Sequence, residues 1–176
     1  MTTVHAKTKL FMLKDWTIAL LPEAESVKLP SRGQVFVKGT INGFLFEKVL
    51  EPDGRWSHWF RVDAAMQKAI GVKAGDTVTL DIEASKDWPE PQVPADFAKA
   101  LKTAPEKVQK LWPDITSMAR WEWIRWVNET NNMETRERRV EVSISKMTDG
   151  KRRPCCFNLA ACTEPYLSKS GRLMQV

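Results

Sequence analysis

Val35-Phe36-Val37-Lys38-Gly39-Thr40-Ile41, then Asn42-Gly43, then Phe44-Leu45-Phe46-Glu47-Lys48-Val49-Leu50, reads as two strands and the turn between them. Val35, Val37 and Ile41 recur at period two among Gln34, Phe36, Lys38 and Thr40, the pattern of a strand with one buried face. Asn42 and Gly43 both tolerate the positive φ of a type I′ hairpin turn. Working outward, Thr8–Leu13 and Trp16–Leu21 read as extended, with Asp15 as a turn residue, and Pro22 opens a short helical turn. After Pro52-Asp53-Gly54, the stretch Trp56-Ser57-His58-Trp59-Phe60-Arg61-Val62 reads as another strand, with Trp56, His58 and Phe60 on its inner face. Asp63 caps a short helix from Ala64 to Ile70, which Gly71 ends. Thr77–Glu83 alternates apolar with polar residues and closes the stranded half.

A short echo runs through this half. Leu21–Val27, Gly33 and Val35–Val37 resemble Val62–Lys68, Gly75 and Thr77–Leu80: strand end, helix, glycine turn, strand. Two such units interlocked close a small barrel and remove its edges. Residues 85–95 then change character, with Pro89, Pro91 and Pro94 marking an extended linker. Beyond it the period becomes helical. Asp96–Thr103, Pro105–Leu111, Thr116–Thr130 and a helix from Asn131 to Met147 are expected, the last opened by Asn131 with Glu134 and ended by Gly150. Residues 151–176 have no period and read as a basic, flexible tail. The expected organisation is therefore a barrel over 1–84, a linker over 85–95, a helical module over 96–150 and a tail over 151–176.

The 176 residues carry 43% hydrophobic and 28% charged side chains, an ordinary globular composition that argues against disorder of the whole chain. No apolar run reaches the length of a membrane span. The first residues hold His5, Lys7 and Lys9 with no sustained apolar stretch, which argues against a secretory signal and for the cytoplasm. Net charge is +5, with +2 over residues 1–113 and +3 over the shorter 114–176, so the C-terminal end is the more basic. Arg136, Arg138, Arg139, Lys146, Lys151, Arg152 and Arg153 crowd into 136–153, a footprint for phosphates or an acidic partner unless it is simply a solvated helix face.

Cys155, Cys156 and Cys162 are odd in number, and two are adjacent, which is no disulfide framework. His5 and His58 lie far from them, so no metal site is expected. They read as reduced thiols. Among eight tryptophans, Trp121, Trp123 and Trp126 are spaced by two and three and cannot share one helix face, so at least one covers another element or meets solvent.

Val37-Lys38-Gly39-Thr40-Ile41-Asn42-Gly43-Phe44, with Gly71-Val72-Lys73-Ala74-Gly75-Asp76-Thr77-Val78, resembles a small bacterial β-barrel domain of unknown function. Trp126-Val127, Glu134-Thr135-Arg136-Glu137-Arg138-Arg139-Val140 and Gly150-Lys151-Arg152 resemble the helical bacteriocin-protection, YdeI or OmpD-associated family. Together the resemblance covers roughly residues 8–153. It implies an α+β protein: a closed barrel of about six strands, of swapped-hairpin or double-psi type, then a helical module. It brings no catalytic residues, and its name suggests a link to antimicrobial stress.

No nucleophile–base pair, phosphate loop, dinucleotide fingerprint or metalloprotease motif is present, so no catalytic residue, metal or cofactor is expected. His58, on an alternating strand, reads as a satisfied barrel histidine rather than a base. Arg136 and Arg139 lie three apart on one helix and offer planar forks suited to carboxylate or phosphate. Thr135 adds a hydroxyl. With His58 and Trp126 they make the candidate binding set, unless nearby carboxylates take them up. The expected function is a non-enzymatic binding module for a small anion or an acidic protein partner at the barrel–helix junction. A nucleic-acid binder using the basic helix and exposed tryptophan is the alternative, and an unrecognised enzyme is the third class.

Overall fold

Seven strands form one antiparallel sheet in the order β1-β7-β4-β5-β6-β3-β2. They are β1 (Thr3–Lys9), β2 (Phe11–Leu13), β3 (Trp16–Leu20), β4 (Val35–Ile41), β5 (Phe44–Pro52), β6 (His58–Arg61) and β7 (Thr77–Ala84). Two helices interrupt them, α1 (Glu23–Ser26) and α2 (Ala64–Ile70). The structure is a computed structural model that describes residues 2–155 and 157–175. Cys156, read above as a reduced thiol, lies outside the described residues.

The β4–β5 hairpin forms as the alternation requires, in register from Val35 opposite Leu50 to Ile41 opposite Phe44. Val35, Val37 and Ile41 are buried, together with Val4, Leu10, Leu21, Leu50, Phe60, Val62, Leu80 and Ile82, in the main core of the sheet. Gly39 fills the remaining inward position of β4, where a Cβ would stand 2.0 Å from the carbonyl oxygen of Asp81 on β7. Only a residue without a side chain allows those two strands to pair so closely. The α2 cap is as expected: Asp63 accepts a hydrogen bond from the amide of Met66, and Gly71 takes the left-handed conformation at the other end.

The closed barrel of about six strands is not what forms. The sheet is a curled, open half-barrel whose edges are β1 and β2. Only Leu10 separates these two strands along the chain. One residue is too short to turn a strand back antiparallel on its predecessor, so β1 and β2 follow one another rather than pair. Leu10 is itself tied across to the β7 side, donating to Asp76 O and accepting from Gly75 N. A side-chain bond from Thr8 Oγ1 to Leu20 O, 2.6 Å, reaches from β1 to β3, but no ladder joins them among the described residues.

The chain divides into two units. The first comprises the chain through Asp87, Asn158–Cys162 and the residues from Leu167 on. The second comprises Trp88–Phe157 and Thr163–Tyr166. The tail, expected to be loose, instead contributes a small hairpin, β8 (Ser168–Lys169) and β9 (Arg172–Leu173), to the first unit. Cys162, Leu167 and Leu173 are buried against Leu13, Ile18 and Trp59. Isolated apolar residues without a period give no sequence signal, yet they cover the apolar back of β3 and β6.

The second unit holds α3 (Ala95–Lys102), α4 (Glu106–Asp114), α5 (Ser117–Asn128) and α6 (Met133–Thr148). Phe97, Val108, Trp123, Val127 and Met147 are buried at its centre. The α6 cap is Asn132 with Thr135, one residue later than the expected Asn131 with Glu134. The prolines before α3 are packed rather than free: Pro91 is buried, and Pro89 O accepts a hydrogen bond from Trp121 Nε1 at 2.7 Å.

Candidate functional site

On α6 the residues singled out from sequence are engaged with their own unit. Arg136 presents its fork to Asp96 at the start of α3, with Nε to Oδ2 at 2.6 Å and Nη2 to Oδ1 at 2.9 Å. Its Nη1 donates to Asn128 Oδ1 at 2.8 Å. The guanidinium holds the Asp96 carboxyl below its ordinary range, and Asp96 in turn raises Arg136. Arg139 donates to Glu129 Oε2 at 2.9 Å and to Trp126 O at 2.7 Å. Trp126, half-buried, has the Arg139 guanidinium 5.3 Å and the Lys146 ammonium 5.9 Å from its ring centroid, a cation–π arrangement. Thr135 supplies its amide, not its hydroxyl, to the cap. Arg136, Arg139, Thr135 and Trp126 therefore lie near one another, with the two forks committed to carboxylates.

Several other cations of the basic segment are also engaged within the unit. Arg152 pairs with Asp114, and Arg153 takes Glu122 in a bidentate pair that raises the arginine further. Lys146 donates to Cys155 Sγ. Trp123 Nε1 donates to Arg152 O at 3.0 Å, which fastens this segment to α5. Arg120 pairs with Glu90, whose carboxyl it lowers. An open cleft of about 400 Å³ lies beside α4 and α6, lined by Lys107, Lys110, Leu111, Asp114 and Gly150. Lys110 there pairs with Glu106. The charge density that the sequence displays is thus spent largely on clamping helices and loop together.

His58 is fully buried in the sheet unit. Its Nε2 lies 2.7 Å from Gly33 O and its Nδ1 2.7 Å from Ser26 Oγ. A carbonyl only accepts, so Nε2 carries the proton and Nδ1 accepts from the serine hydroxyl. The serine–histidine pair has no face to solvent, and it ties α1 to β6. It lies in a different unit from Arg136, Arg139, Thr135 and Trp126.

The sequence reading missed the loop before β6. Trp56 does not start a strand with its ring inward. It is 69% exposed, at φ 79°, a left-handed conformation unusual for so bulky a residue. The loop is braced to keep it there. Asp53, buried, accepts from the amides of Arg55 at 2.6 Å and Ser57 at 2.9 Å through Oδ1. Asp53 N donates to Ser57 O at 2.9 Å. Arg32 Nη1 donates to Trp56 O at 2.9 Å, and its Nη2 to Ser26 O and Leu29 O. Arg55 Nη1 donates to Leu173 O. Gly54 sits so close to the β8–β9 turn that a Cβ on it would stand 2.1 Å from Gly171 O and 3.0 Å from Arg172 Cα.

Three arginines adjoin the Trp56 loop: Arg32 through its bond to Trp56 O, Arg55 within the loop itself, and Arg172, whose Cα lies beside Gly54. The first two bond to carbonyl oxygens, which orient a guanidinium without cancelling its charge, and none of the three forms an ion pair among the described residues. The Asp53-Gly54 turn and the arginines at 32 and 55 were visible in sequence. The return of Arg172 to them was not.

No helix among the described residues is long and apolar enough to cross a membrane. Among the same residues no group of three or more His, Cys, Asp and Glu is placed to hold a metal ion. No curated protein matches the chain. Residues 3–82, which carry the seven strands but for the end of β7, match the family described as a domain of unknown function, DUF1905. Residues 90–150, which carry all four helices of the second unit, match the family described as bacteriocin-protection, YdeI or OmpD-associated. The chain is thus similar to these two families in succession, the order its motifs suggest.

Proposed function

We propose that the chain is a non-enzymatic binding module for an acidic partner, and that it binds through the Trp56 loop of the sheet unit. The observation that supports this is the pairing of an exposed, strained tryptophan with three arginines that no carboxylate neutralises. A non-glycine residue held left-handed costs about 1–2 kcal/mol. Such strain persists where surrounding structure over-determines it, often at ligand clamps. Tryptophan and arginine are also the side chains that contribute most when a surface is desolvated by a partner. Arg136 and Arg139 have a different role in this reading: they hold α3, α5 and α6 in place. The reading puts the molecule in the bacterial cytoplasm, where Cys155 and Cys162 stay reduced. Any role in protection against antimicrobial peptides would be exercised through the partner so held.

The test is binding of short polyanions, inorganic polyphosphate and polyglutamate, to the full chain at low and moderate salt. Arg172→Glu reverses an exposed charge beside the loop and is expected to weaken binding. Arg138→Glu, an exposed cation on α6, is expected to leave it unchanged. Equal loss from both substitutions, or no binding to any polyanion, rules the loop out as the site.

A further inference from the structure

We propose that the Trp56 loop takes single-stranded nucleic acid, with an unpaired base stacked on the indole and the flanking phosphates held by Arg32, Arg55 and Arg172. This rests on the reading that the loop binds an acidic partner, and it names that partner's chemistry.

Three observations favour it over an acidic protein surface. The exposed group is an aromatic ring, and every base offers a π-face, so stacking on it tolerates any sequence. The cations at 32, 55 and 172 are arginines, whose planar forks match phosphate and also stack. The residues flanking Trp56 in sequence, Gly54, Arg55 and Ser57, carry no large apolar side chain of the kind that shields a tryptophan anchor in a protein–protein interface. A single ring raised on a turn can stack only on a base freed from its pair, which selects single strands over a duplex.

The arrangement of the arginines fits the backbone of such a strand. Arg32 is pinned by hydrogen bonds to three carbonyl oxygens, Trp56 O, Ser26 O and Leu29 O, and Arg55 by one to Leu173 O, so their remaining N–H groups have fixed directions. Arg172, exposed on β9, adds a third charge. Three phosphate contacts give a salt slope of about −2 in log affinity against log salt for a single strand. Asp53, the carboxylate of the loop, is buried and turned to the amides of Arg55 and Ser57, away from an approaching phosphate.

The experiment uses the full chain with three fluorescently labelled probes of equal length: a thymidine oligonucleotide, the same backbone lacking bases, and polyglutamate, each followed by anisotropy at low salt. The thymidine strand is expected to bind more tightly than the abasic one. Trp56→Ala is expected to lower affinity for thymidine by about 5- to 150-fold, the range that one stacked base corresponds to, and to leave the abasic probe unchanged. Trp56→Phe is expected to restore most of the loss, which a merely misfolded loop would not. Arg172→Glu is expected to weaken both nucleic-acid probes and flatten the salt slope. Equal affinity for thymidine and abasic strands, or equal loss on both from Trp56→Ala, overturns base stacking and leaves the acidic-partner reading standing. Tighter, Trp56-dependent binding of polyglutamate overturns it in favour of a protein partner. No binding to any of the three overturns both.

Discussion

Replacing Gly54 by alanine tests whether the Trp56 loop and the β8–β9 hairpin form one structure. The new Cβ would stand 2.1 Å from Gly171 O and 3.0 Å from Arg172 Cα. Ordinary contact begins near 3.4 Å, so the hairpin backbone has to retreat by more than an ångström. That retreat breaks the bond from Leu173 N to Asp53 O, 2.9 Å, and the one from Arg55 Nη1 to Leu173 O. Each is worth about 0.5–1.5 kcal/mol. Alanine at φ 76° adds about 1–2 kcal/mol of backbone strain. The expected loss is about 2–5 kcal/mol in the sheet unit. Gly43→Ala is the control, because Gly43 has a similar φ of 80° but nothing within 4 Å of its Cβ position. It bears the backbone strain alone, about 1–2 kcal/mol. Urea unfolding gives the two stabilities, and hydrogen exchange at the Leu173 and Cys162 amides reports the hairpin directly. If Gly54→Ala costs no more than Gly43→Ala, or if those amides stay as protected as in the unaltered chain, the hairpin does not brace the loop.

Acid should destabilise the helical unit first through Asp96 and Glu90. Arg136 and Arg120 hold these carboxyls below their ordinary values of 3.8 and 4.5, so the unfolded chain takes up protons before the folded one as pH falls. Their contribution is full above the ordinary values and fades as pH drops through the lowered ones. The helical unit's melting temperature should fall below about pH 5, and Asp96→Asn should lower it at neutral pH while flattening the acid slope. Trp123→Ala removes a fully buried ring and its bond to Arg152 O, and should cost about 3–5 kcal/mol by urea unfolding. His58→Ala leaves Gly33 O and Ser26 Oγ buried without their partner, and should cost the sheet unit about 2–4 kcal/mol. Ser26→Ala should cost about 1–3 kcal/mol in the same measurement, because it takes the serine hydroxyl from the buried His58 Nδ1.

Local rules made several parts of this fold legible. The Asn42-Gly43 hairpin, the Asp63 cap, the Gly71 stop and four helices after Pro94 each rest on residues close in sequence. Closure of the sheet does not. It depends on how far β1 and β2 are apart in the chain, and a spacing of one residue allowed them to succeed each other but not to pair. Residue type misled at Trp56, since an aromatic before an alternating run reads as part of the strand. The braces from Asp53, Arg32 and the β8–β9 hairpin hold it out. Charge misled in the helical unit for a related reason. The arginines of 136–153 are dense in sequence, but their carboxylates, Asp96, Asp114, Glu122 and Glu129, come from other helices and turns. The arginines of the Trp56 loop sit at 32, 55 and 172, too far apart in the chain to register as a cluster.

The route of the chain makes the sheet unit a host and the helical unit a guest spliced into it. Leu13, Ile18 and Trp59 wait for Leu167 and Leu173, which leave the ribosome more than a hundred residues later. During synthesis the first half is therefore an unfinished fold with an uncovered apolar back, and the helices assemble before that back is sealed. A protein cut after the last helix would keep both matched stretches, 3–82 and 90–150, and still lack the final piece of its own first half.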